Sequence, residues 1–423
     1  MRVVYPVCCG VDVHKSFLVA TIITTHNNQV EPTYQKRRFS TFHRSLLEFR
    51  EWLVDNQCFH VCMESTGKYW IPVFNVLEDF VQVTLANPKW VSAVKGNKDD
   101  VKDSKWIGDL FRLGLVPGSF IPDKEIRVLR ELTRYRAKLV ACKASEKNRY
   151  QNALTVCNLS LDSVASSMFG KSATAIVNHL VSGQSLDAEQ CMNLLHGAMR
   201  KKVNQVLEAV KGFQMEAEQK VRLRIIQSHM GYLDQLIGIL DEEIAQLTKA
   251  YKSHIELLCS VPGVKHLTAV IILSEIGTDM SMFGSSKRLC SWAGLVPGNN
   301  QSAGKKKSVK ISRAGVYLKP ALVQAAHAAV KDKNCDYYAQ KYRQIAKRRG
   351  KKRAIIAIAR MILVAIFAML QTGETFCPKD LVAKEEDSNS KSEKHHRALQ
   401  KAVKLLQAEG INLPEAFVLS LTG

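Results

Sequence analysis

The 130 residues from Asp123 to Lys252 contain no proline, although the chain of 423 residues has 11. Glycine is also sparse there, and both residues interrupt helices. Apolar residues recur at spacings of three and four, most regularly between Leu223 and Ile244. This pattern predicts two long helices that pack as a coiled coil within residues 121–255, joined by a smaller helical insert. An ordinary helical bundle is the alternative that periodicity leaves open.

The first 120 residues instead alternate between strand and helix patterns, which predicts an α/β domain with a mixed sheet. Val7–Val13 and Phe17–Thr25 are apolar and β-branched around a short polar turn, as expected of a hairpin. Two further strands and three helices are predicted at Phe59–Met63, Val81–Ala86, Thr41–Val54, Tyr69–Phe80 and Lys98–Leu113.

The C-terminal part, residues 256–380, is predicted to be mainly α-helical, with a tight helix–turn–helix at Cys259–Val264. The apolar run Ala354–Leu370 is only 17 residues long and carries Arg360 near its centre. A central arginine costs roughly 2.5–3.5 kcal/mol on insertion scales, so a buried helix is favoured over a membrane span. Residues 381–423 are predicted to form a charged linker, Lys384–His396, and a terminal helix, Arg397–Glu409.

The charge balance is strongly positive. Lys and Arg number 60 against 39 acidic residues, which gives a formal charge of +21 and a pI near 9.5. Such an excess favours a polyanionic partner, with nucleic acid ahead of a membrane surface. The 11 cysteines form no CxxC pair, and the N-terminal segment does not have the pattern of a secretory signal. We therefore expect a reduced, cytoplasmic protein that handles nucleic acid without a membrane partner.

Four acidic residues stand out by their positions. Asp12 and Glu64 lie in strand patterns where acids are disfavoured, and Asp100 and Asp103 lie three apart on a predicted helix. Four converging carboxylates repel unless divalent cations lie between them, and hard oxygen ligands select Mg²⁺, with Mn²⁺ as the alternative. Solvated side chains are the competing interpretation, and the spacing also allows Asp99 in place of Asp100.

A second candidate site is the loop that follows Gly294. Ser302 lies there among Gly, Asn and Pro residues, shortly before Lys305, Lys306 and Lys307. A serine hydroxyl needs a base or a metal to become a nucleophile, and the lysines suit a phosphate that gains negative charge. A phosphate-binding loop in which Ser302 only donates a hydrogen bond is the alternative.

A third feature is the segment 341–353, which has eight cations among thirteen residues and no acid. Such density favours a surface that follows a phosphate backbone over an ordinary solvated face. We predict nucleic-acid contacts at Lys347, Arg348, Arg349, Lys351, Lys352 and Arg353.

With these residues in place, the sequence resembles the IS110 family of insertion-sequence transposases. The N-terminal motifs are Gly-Val-Asp-Val-His-Lys at Asp12, Met-Glu-Ser-Thr-Gly at Glu64, and Lys-Asp-Asp-Val-Lys-Asp-Ser at Asp100 and Asp103. The family usually has Lys-Thr-Asp-x-x-Asp at the last motif, which favours Asp100 over Asp99. C-terminal motifs include Val261-Pro-Gly-Val, Gln301-Ser-Ala-Gly and Ile311-Ser-Arg-Ala-Gly, after which Val316 replaces the usual asparagine.

The resemblance implies an RNase H-like, RuvC-like domain whose four acids bind Mg²⁺, and a second domain whose serine joins covalently to DNA. Ser302 matches that serine. It further implies a composite site in which the acids of one subunit work beside the serine of another, a homodimer or homotetramer, and a structured non-coding RNA that guides the choice of DNA.

Three functions are compatible with these sequence features. The first is a transposase or site-specific recombinase that forms a serine–DNA adduct. The second is a metal-dependent, structure-selective DNA nuclease that uses water. The third is a nucleic-acid scaffold that tolerates neutralisation of Asp12 or Glu64.

Overall fold

The computed structural model describes residues 2–25, 31–64, 67–91, 100–298, 300–302, 305–308 and 310–377. Within these ranges, the side chains of residues 89–90, 100–102, 300–302 and 305–308 are not described. The predicted linker, the predicted terminal helix and Asp99 lie outside the described residues. The chain divides into two compact units, Met1–Pro122 and Asp123–Gly423.

The first unit is built on a five-stranded mixed sheet, which confirms the predicted α/β architecture. Its strands are β1 Val7–Val13, β2 Phe17–Thr24, β3 Thr33–Ser40, β4 His60–Glu64 and β5 Gln82–Ala86. The order across the sheet is β3-β2-β1-β4-β5. The pairs β1–β2 and β2–β3 are antiparallel, whereas β1–β4 and β4–β5 are parallel. Strand β3 was not predicted, because this edge strand is polar and lacks the apolar alternation that predicts a strand.

Helices cover both faces of the sheet. They are α1 His43–Asp55, α2 Trp70–Leu77, α3 Pro88–Val91 and α4 Asp100–Arg112. One apolar core includes Phe49 of α1 and Leu77 of α2, and a second includes Ile107 and Phe111 of α4. Cysteines fill part of these cores, and burial raises the pKa of the thiols of Cys8, Cys58 and Cys62 to about 12. These thiols therefore act as apolar packing groups.

Two long helices begin the second unit, α5 Lys124–Val156 and α9 Ala217–Leu247. Ion pairs along their length show that they run antiparallel: Arg136 pairs with Asp241, Lys143 with Asp234, and Glu146 with His229. The predicted pair of long helices is therefore confirmed, while their supercoiling as a coiled coil stays a prediction.

A smaller helical insert connects the C-terminal end of α5 to the N-terminal end of α9. It contains α6 Lys171–Val181, α7 Ala188–Leu194 and α8 Val203–Val210. Ile176, Leu195 and Val206 pack with Leu154 of α5 and Leu223 of α9 in one apolar cluster. The insert is thus packed onto the helix pair as an extension of its core.

The remaining helices form the C-terminal part of the second unit. They are α10 Lys252–Cys259, α11 His266–Ile276, α12 Ser286–Trp292, α13 Leu318–Ala329, α14 Tyr337–Arg349 and α15 Lys351–Thr372. The predicted helix–turn–helix is present between α10 and α11. Gly263 in this turn has φ +83°, and a Cβ there would lie 2.3 Å from the Ala325 carbonyl oxygen of α13. Only glycine suits this turn, because both its conformation and its closeness to α13 exclude a side chain.

Helix α15 contains the predicted apolar run. By length and composition it could cross a membrane, and half of its most apolar window is buried within the structure. Ile358, Ile362 and Ile366 are fully buried, whereas Arg360 lies on the exposed side. The buried face is the pattern expected of a core helix that also borders solvent.

A buried polar cluster attaches α5 to the end of α11. Arg130 donates to the carbonyl oxygens of Ser274 and Glu275 at 3.0 and 2.6 Å. Arg134 donates to both carboxylate oxygens of Glu275 at 2.7 and 2.8 Å, and its guanidinium lies 4.9 Å from the ring centre of Tyr317. Because Tyr317 precedes α13, this cluster links the long helix to two elements of the C-terminal part.

Candidate functional site

Two of the four predicted acids occupy matching positions on neighbouring strands. Strands β1 and β4 pair in parallel with Gly10 opposite Cys62 and Val11 opposite Met63. The next positions in this register are Asp12 and Glu64. Side chains alternate along a strand, so both acids lie on the same face as Gly10 and Cys62. The fold therefore places Asp12 and Glu64 side by side at the same end of the paired strands β1 and β4.

Helix α4 covers this face and runs antiparallel to β1. Its last residue, Arg112, accepts a hydrogen bond from the backbone N–H of Tyr5, whereas Ser104 lies farther along β1, against Gly10. The N-terminal end of α4 is therefore the end nearer to Asp12. Asp100 is the first residue of α4, and the half-buried Asp103 precedes Ser104. The side chain of Asp100 lies outside the described part of the chain.

A glycine contact sets the close packing of α4 on the sheet. A Cβ on Gly10 would lie 2.1 Å from the Ser104 carbonyl oxygen and 2.3 Å from the backbone nitrogen of Gly108. Thr21 and Ser104 add a buried hydroxyl–hydroxyl hydrogen bond of 2.8 Å. The alignment of α4 with β1 thus depends on two glycines and a buried polar pair. The sequence analysis did not single out these residues, because nothing local shows that Gly10 and Gly108 meet.

His14 is a residue of the site that the sequence analysis did not single out as functional. Its Nε2 lies 3.0 Å from Oδ2 of Asp12, and its ring stacks on Phe17 with centroids 4.5 Å apart. The ring is thereby fixed beside the carboxylate. The available signal was its place two residues after Asp12 in a polar turn.

The carboxylate oxygens at this end of β1 and β4 suit a hard cation such as Mg²⁺. Among the side chains that the structure describes, however, no three His, Cys, Asp or Glu groups form a cluster that could hold a metal ion. Because the side chain of Asp100 lies outside that set, the four-acid metal site stays a prediction.

The loop with Ser302 is a β-hairpin in the structure. Strands β6 Asn300–Ser302 and β7 Lys305–Ser308 pair antiparallel with Ser302 opposite Lys305. Ser302 is therefore the last residue of β6 and pairs with the first residue of β7. The sequence analysis predicted a loop, because three- and four-residue strands rich in Lys, Asn and Ser carry no strand pattern. The side chains of Ser302 and of the three lysines are not among those described.

Two glycines fix the base of this hairpin. A Cβ on Gly294 would lie 2.6 Å from the Ala314 carbonyl oxygen, and one on Gly315 would lie 2.2 Å from the Ala293 carbonyl oxygen. Both glycines also have positive φ, at +68° and +67°. The chain therefore enters and leaves the hairpin through a junction that only glycine permits.

The predicted cationic segment spans the junction of α14 and α15. The cations Lys347, Arg348, Arg349, Lys351, Lys352 and Arg353 are all exposed around Gly350. Within the described ranges none of them takes part in a salt bridge. Those in the last turn of α14 complement the helix dipole, but those in the first turn of α15 oppose it. A bound phosphate relieves that repulsion, which supports a nucleic-acid contact here.

Comparison with known proteins decides the family. Residues 9–158 match the IS110-type DEDD transposase model, and residues 255–343 match the model described as Transposase IS116/IS110/IS902 family. Together the two matches cover more than half of the chain. The chain belongs to the IS110 family of transposases.

Individual relatives agree with this assignment. The transposase of insertion sequence element IS1111A from Coxiella burnetii is 26% identical over 328 residues, which is 75% of this chain and 79% of the relative. An uncharacterized 42 kDa protein of insertion element IS900 from Mycobacterium paratuberculosis is 28% identical over 36% of this chain and 38% of its own length. A pilin gene-inverting protein from Moraxella bovis is 30% identical over 32% of this chain and 44% of its own length.

As an IS110-family transposase, the chain belongs to a class of enzymes that bind, cleave and rejoin DNA. The two matched regions contain the acids at Asp12, Glu64, Asp100 and Asp103 and the hairpin with Ser302, respectively. Residues 159–254, which include the insert and α9, lie outside both matches.

Proposed function

We propose that this transposase cuts DNA by attack of the Ser302 hydroxyl on a phosphodiester, with Asp12, Glu64, Asp100 and Asp103 as the ligands of Mg²⁺ or Mn²⁺. The observation that carries the proposal is the register that sets Asp12 beside Glu64 on the face covered by α4. Acids at matching positions of adjacent strands, next to a helix that begins with a third acid, are an arrangement suited to divalent cations.

Serine attack accounts for both cutting and rejoining. A bond forms between Oγ of Ser302 and phosphorus, and the bond from phosphorus to a deoxyribose oxygen breaks. The serine gives up one proton and the leaving oxygen gains one, so the step has no net proton change. A hydroxyl from a new strand then reverses the reaction at the phosphoserine. The phosphodiester energy is kept throughout, and no external energy source is needed.

The residues around each group have distinct roles. Asp12 and Glu64 would bind the cation through carboxylate oxygens, and His14 holds the carboxylate of Asp12 in place. When bound, Mg²⁺ supplies Lewis acidity to the scissile phosphate and lowers the pKa of an attacking hydroxyl. Lys305, Lys306 and Lys307 follow the hairpin turn and stabilise the negative charge that develops on the attacked phosphate.

The partners follow from charge and from the family resemblance. The cationic junction of α14 and α15 binds the phosphate backbone of DNA. Guidance by a structured non-coding RNA and assembly as a homodimer or homotetramer rest on the resemblance. The net charge of +21 suits simultaneous binding of DNA and RNA.

The test is a search for a covalent protein–DNA adduct. Full-length protein is incubated with Mg²⁺, DNA from the ends of the element and total RNA from the host, and the products are separated on a denaturing gel. We expect an adduct that disappears with EDTA, with Ser302→Ala and with Asp12→Asn. The matched control is Ser308→Ala, which removes a hydroxyl from the same hairpin and should leave the adduct intact.

The result also separates the competing functions. Cleaved DNA without an adduct, unaffected by Ser302→Ala, would establish the nuclease that uses water. An adduct that persists in Ser302→Ala would overturn the assignment of the nucleophile.

A further inference from the structure

Edge strand β3 carries a cationic surface that the proposed chemistry does not use. Lys36, Arg37 and Arg38 are consecutive and exposed, and no acid lies within the strand. Lys36 and Arg38 lie on the same face of the sheet as Gly10 and Asp12, whereas Arg37 lies on the opposite face with its guanidinium 4.9 Å from the ring centre of Phe39, so the cations border the strand edge from both faces. In the part of the chain that the structure describes, none of the three forms a salt bridge. Three exposed cations without carboxylate partners leave a positive field that an anion can neutralise.

A chain of contacts connects this strand to Asp12. The guanidinium of Arg38 lies 3.8 Å from the ring centre of Phe17, and Phe17 stacks on His14, whose Nε2 is 3.0 Å from Asp12. Arg38 is therefore held at a fixed place on the surface, two rings away from a predicted metal ligand. A pre-positioned guanidinium loses less entropy when it binds a phosphate than a freely moving one.

The end of β3 adds an exposed aromatic ring. Thr41 donates hydrogen bonds to the carbonyl oxygens of Lys15 and Ser16, which ties the end of β3 to the turn after Asp12. The next residue, Phe42, is 80% exposed. Cations that follow a backbone, combined with an exposed ring on which a base can stack, are the usual parts of a surface for nucleic acid.

Cations on an edge strand also have a simpler explanation, since they prevent strands of different molecules from pairing. Two observations argue against that role alone. Phe42 is large, apolar and almost fully exposed, which is the opposite of a protective residue. Arg38 is stacked on Phe17 toward the acids, whereas protection requires only a charge in solvent.

From these contacts we infer that the surface formed by Lys36, Arg37, Arg38 and Phe42 binds the phosphodiester backbone of a nucleic-acid strand. The surface leads this strand to the end of β1 and β4 where Asp12 and Glu64 lie. The binding itself is independent of the proposed chemistry. Delivery of a scissile phosphate to the acids rests on the proposed function.

The experiment measures the salt dependence of binding for full-length protein. Fluorescence anisotropy with labelled duplex DNA, single-stranded DNA and single-stranded RNA is recorded between 50 and 300 mM salt, over which the Debye length falls by roughly a factor of two. The main variant is Lys36→Gln/Arg37→Gln/Arg38→Gln. Its matched control, Lys138→Gln/Lys171→Gln/Lys201→Gln, removes three exposed cations of the second unit that likewise form no salt bridge within the described ranges.

We expect the magnitude of the log–log salt slope to fall by up to about 2.7 for duplex DNA, or about 2.1 for single strands, in the β3 variant and to remain unchanged in the control. The three ligands distinguish duplex DNA, single-stranded DNA and single-stranded RNA, because only the nucleic acid that binds at β3 shows the smaller salt slope. Phe42→Ala should weaken single-strand binding roughly 5- to 150-fold and leave duplex binding unchanged if the bound strand is unpaired.

Equal slopes in the two triple variants would overturn the inference, and aggregation of the β3 variant with a wild-type slope would establish edge protection instead. Should the triple variant fail to fold, Lys36→Gln/Arg37→Gln preserves the stacking of Arg38 on Phe17 and still lowers the slope by about 1.8. The adduct assay keeps the two proposals apart. A wild-type protein without an adduct refutes the serine chemistry only, whereas full adduct formation by the β3 variant at every salt concentration refutes delivery of the strand to the acids only.

Discussion

Replacing Gly10 with alanine tests the contact that aligns α4 with β1. The new methyl carbon would lie 2.1 Å from the Ser104 carbonyl oxygen and 2.3 Å from the nitrogen of Gly108. Both atoms belong to the backbone, so no side-chain rotation relieves the clash. Helix α4 must move outward by about 1 Å to reach the shortest tolerable separation.

The magnitude follows from this displacement. Overpacking of a close contact costs about 1–3 kcal/mol, and loss of the buried Thr21–Ser104 hydrogen bond adds about 1 kcal/mol. A total of about 2–4 kcal/mol lowers the melting temperature of a unit of this size by roughly 8–16 °C. Asp103 moves with the helix, and under the proposed metal site a misplacement of about 1 Å costs about 100-fold in cleavage rate.

The assay combines thermal unfolding with DNA cleavage. The matched control is Gly231→Ala in α9, where no atom lies within 4 Å of the new methyl group. That change should be neutral or stabilise the helix by up to about 1 kcal/mol. A Gly10→Ala protein with the melting temperature and cleavage rate of the wild type would refute the described packing of α4.

Three further predictions concern the cores of the two units. Burial raises the pKa of the Cys62 thiol to about 12, while the unfolded thiol ionises near 9. Between these values the folded form retains a proton that the unfolded form loses. The free energy of unfolding therefore has its full value below pH 9 and declines by about 1.4 kcal/mol per pH unit up to pH 12. Urea unfolding of Cys62→Val between pH 8 and 11 should show a shallower decline than the wild type, and identical slopes would contradict this. Glu275→Gln leaves Arg134 without its carboxylate and should cost about 2–3 kcal/mol in thermal unfolding, which is less than the roughly 3–5 kcal/mol of a fully buried pair because Arg134 reaches solvent. Gly263→Ala places a methyl group 2.3 Å from a backbone oxygen at positive φ, so a loss of at least 2 kcal/mol is expected by the same method, and an unchanged melting temperature would argue against the contact with α13.

Patterns within single elements predicted most of the architecture. The hairpin of Val7–Val13 and Phe17–Thr25, the buried strands around Val61 and Leu85 and the long helices after Asp123 all followed from local periodicity, because an apolar face must be repeated at the period of its own element. Strand β3 and the Ser302 hairpin did not follow, since their pairing depends on residues elsewhere in the chain. The cationic junction around Gly350 was visible as composition, but its position between two helices was not.

The sequence by itself determined the residue types on which the proposed chemistry depends: Asp12 and Glu64 near the ends of strands, Ser302 before a lysine run, and a charge suited to nucleic acid. Tertiary structure alone decided that Asp12 and Glu64 share one face and one register, and that α4 approaches this face through Gly10 and Gly108. The physical reason is that a glycine in the sequence does not indicate which segment of the chain packs against it. Strand register and close helix packing are fixed by contacts between distant segments, which periodicity within one segment does not encode.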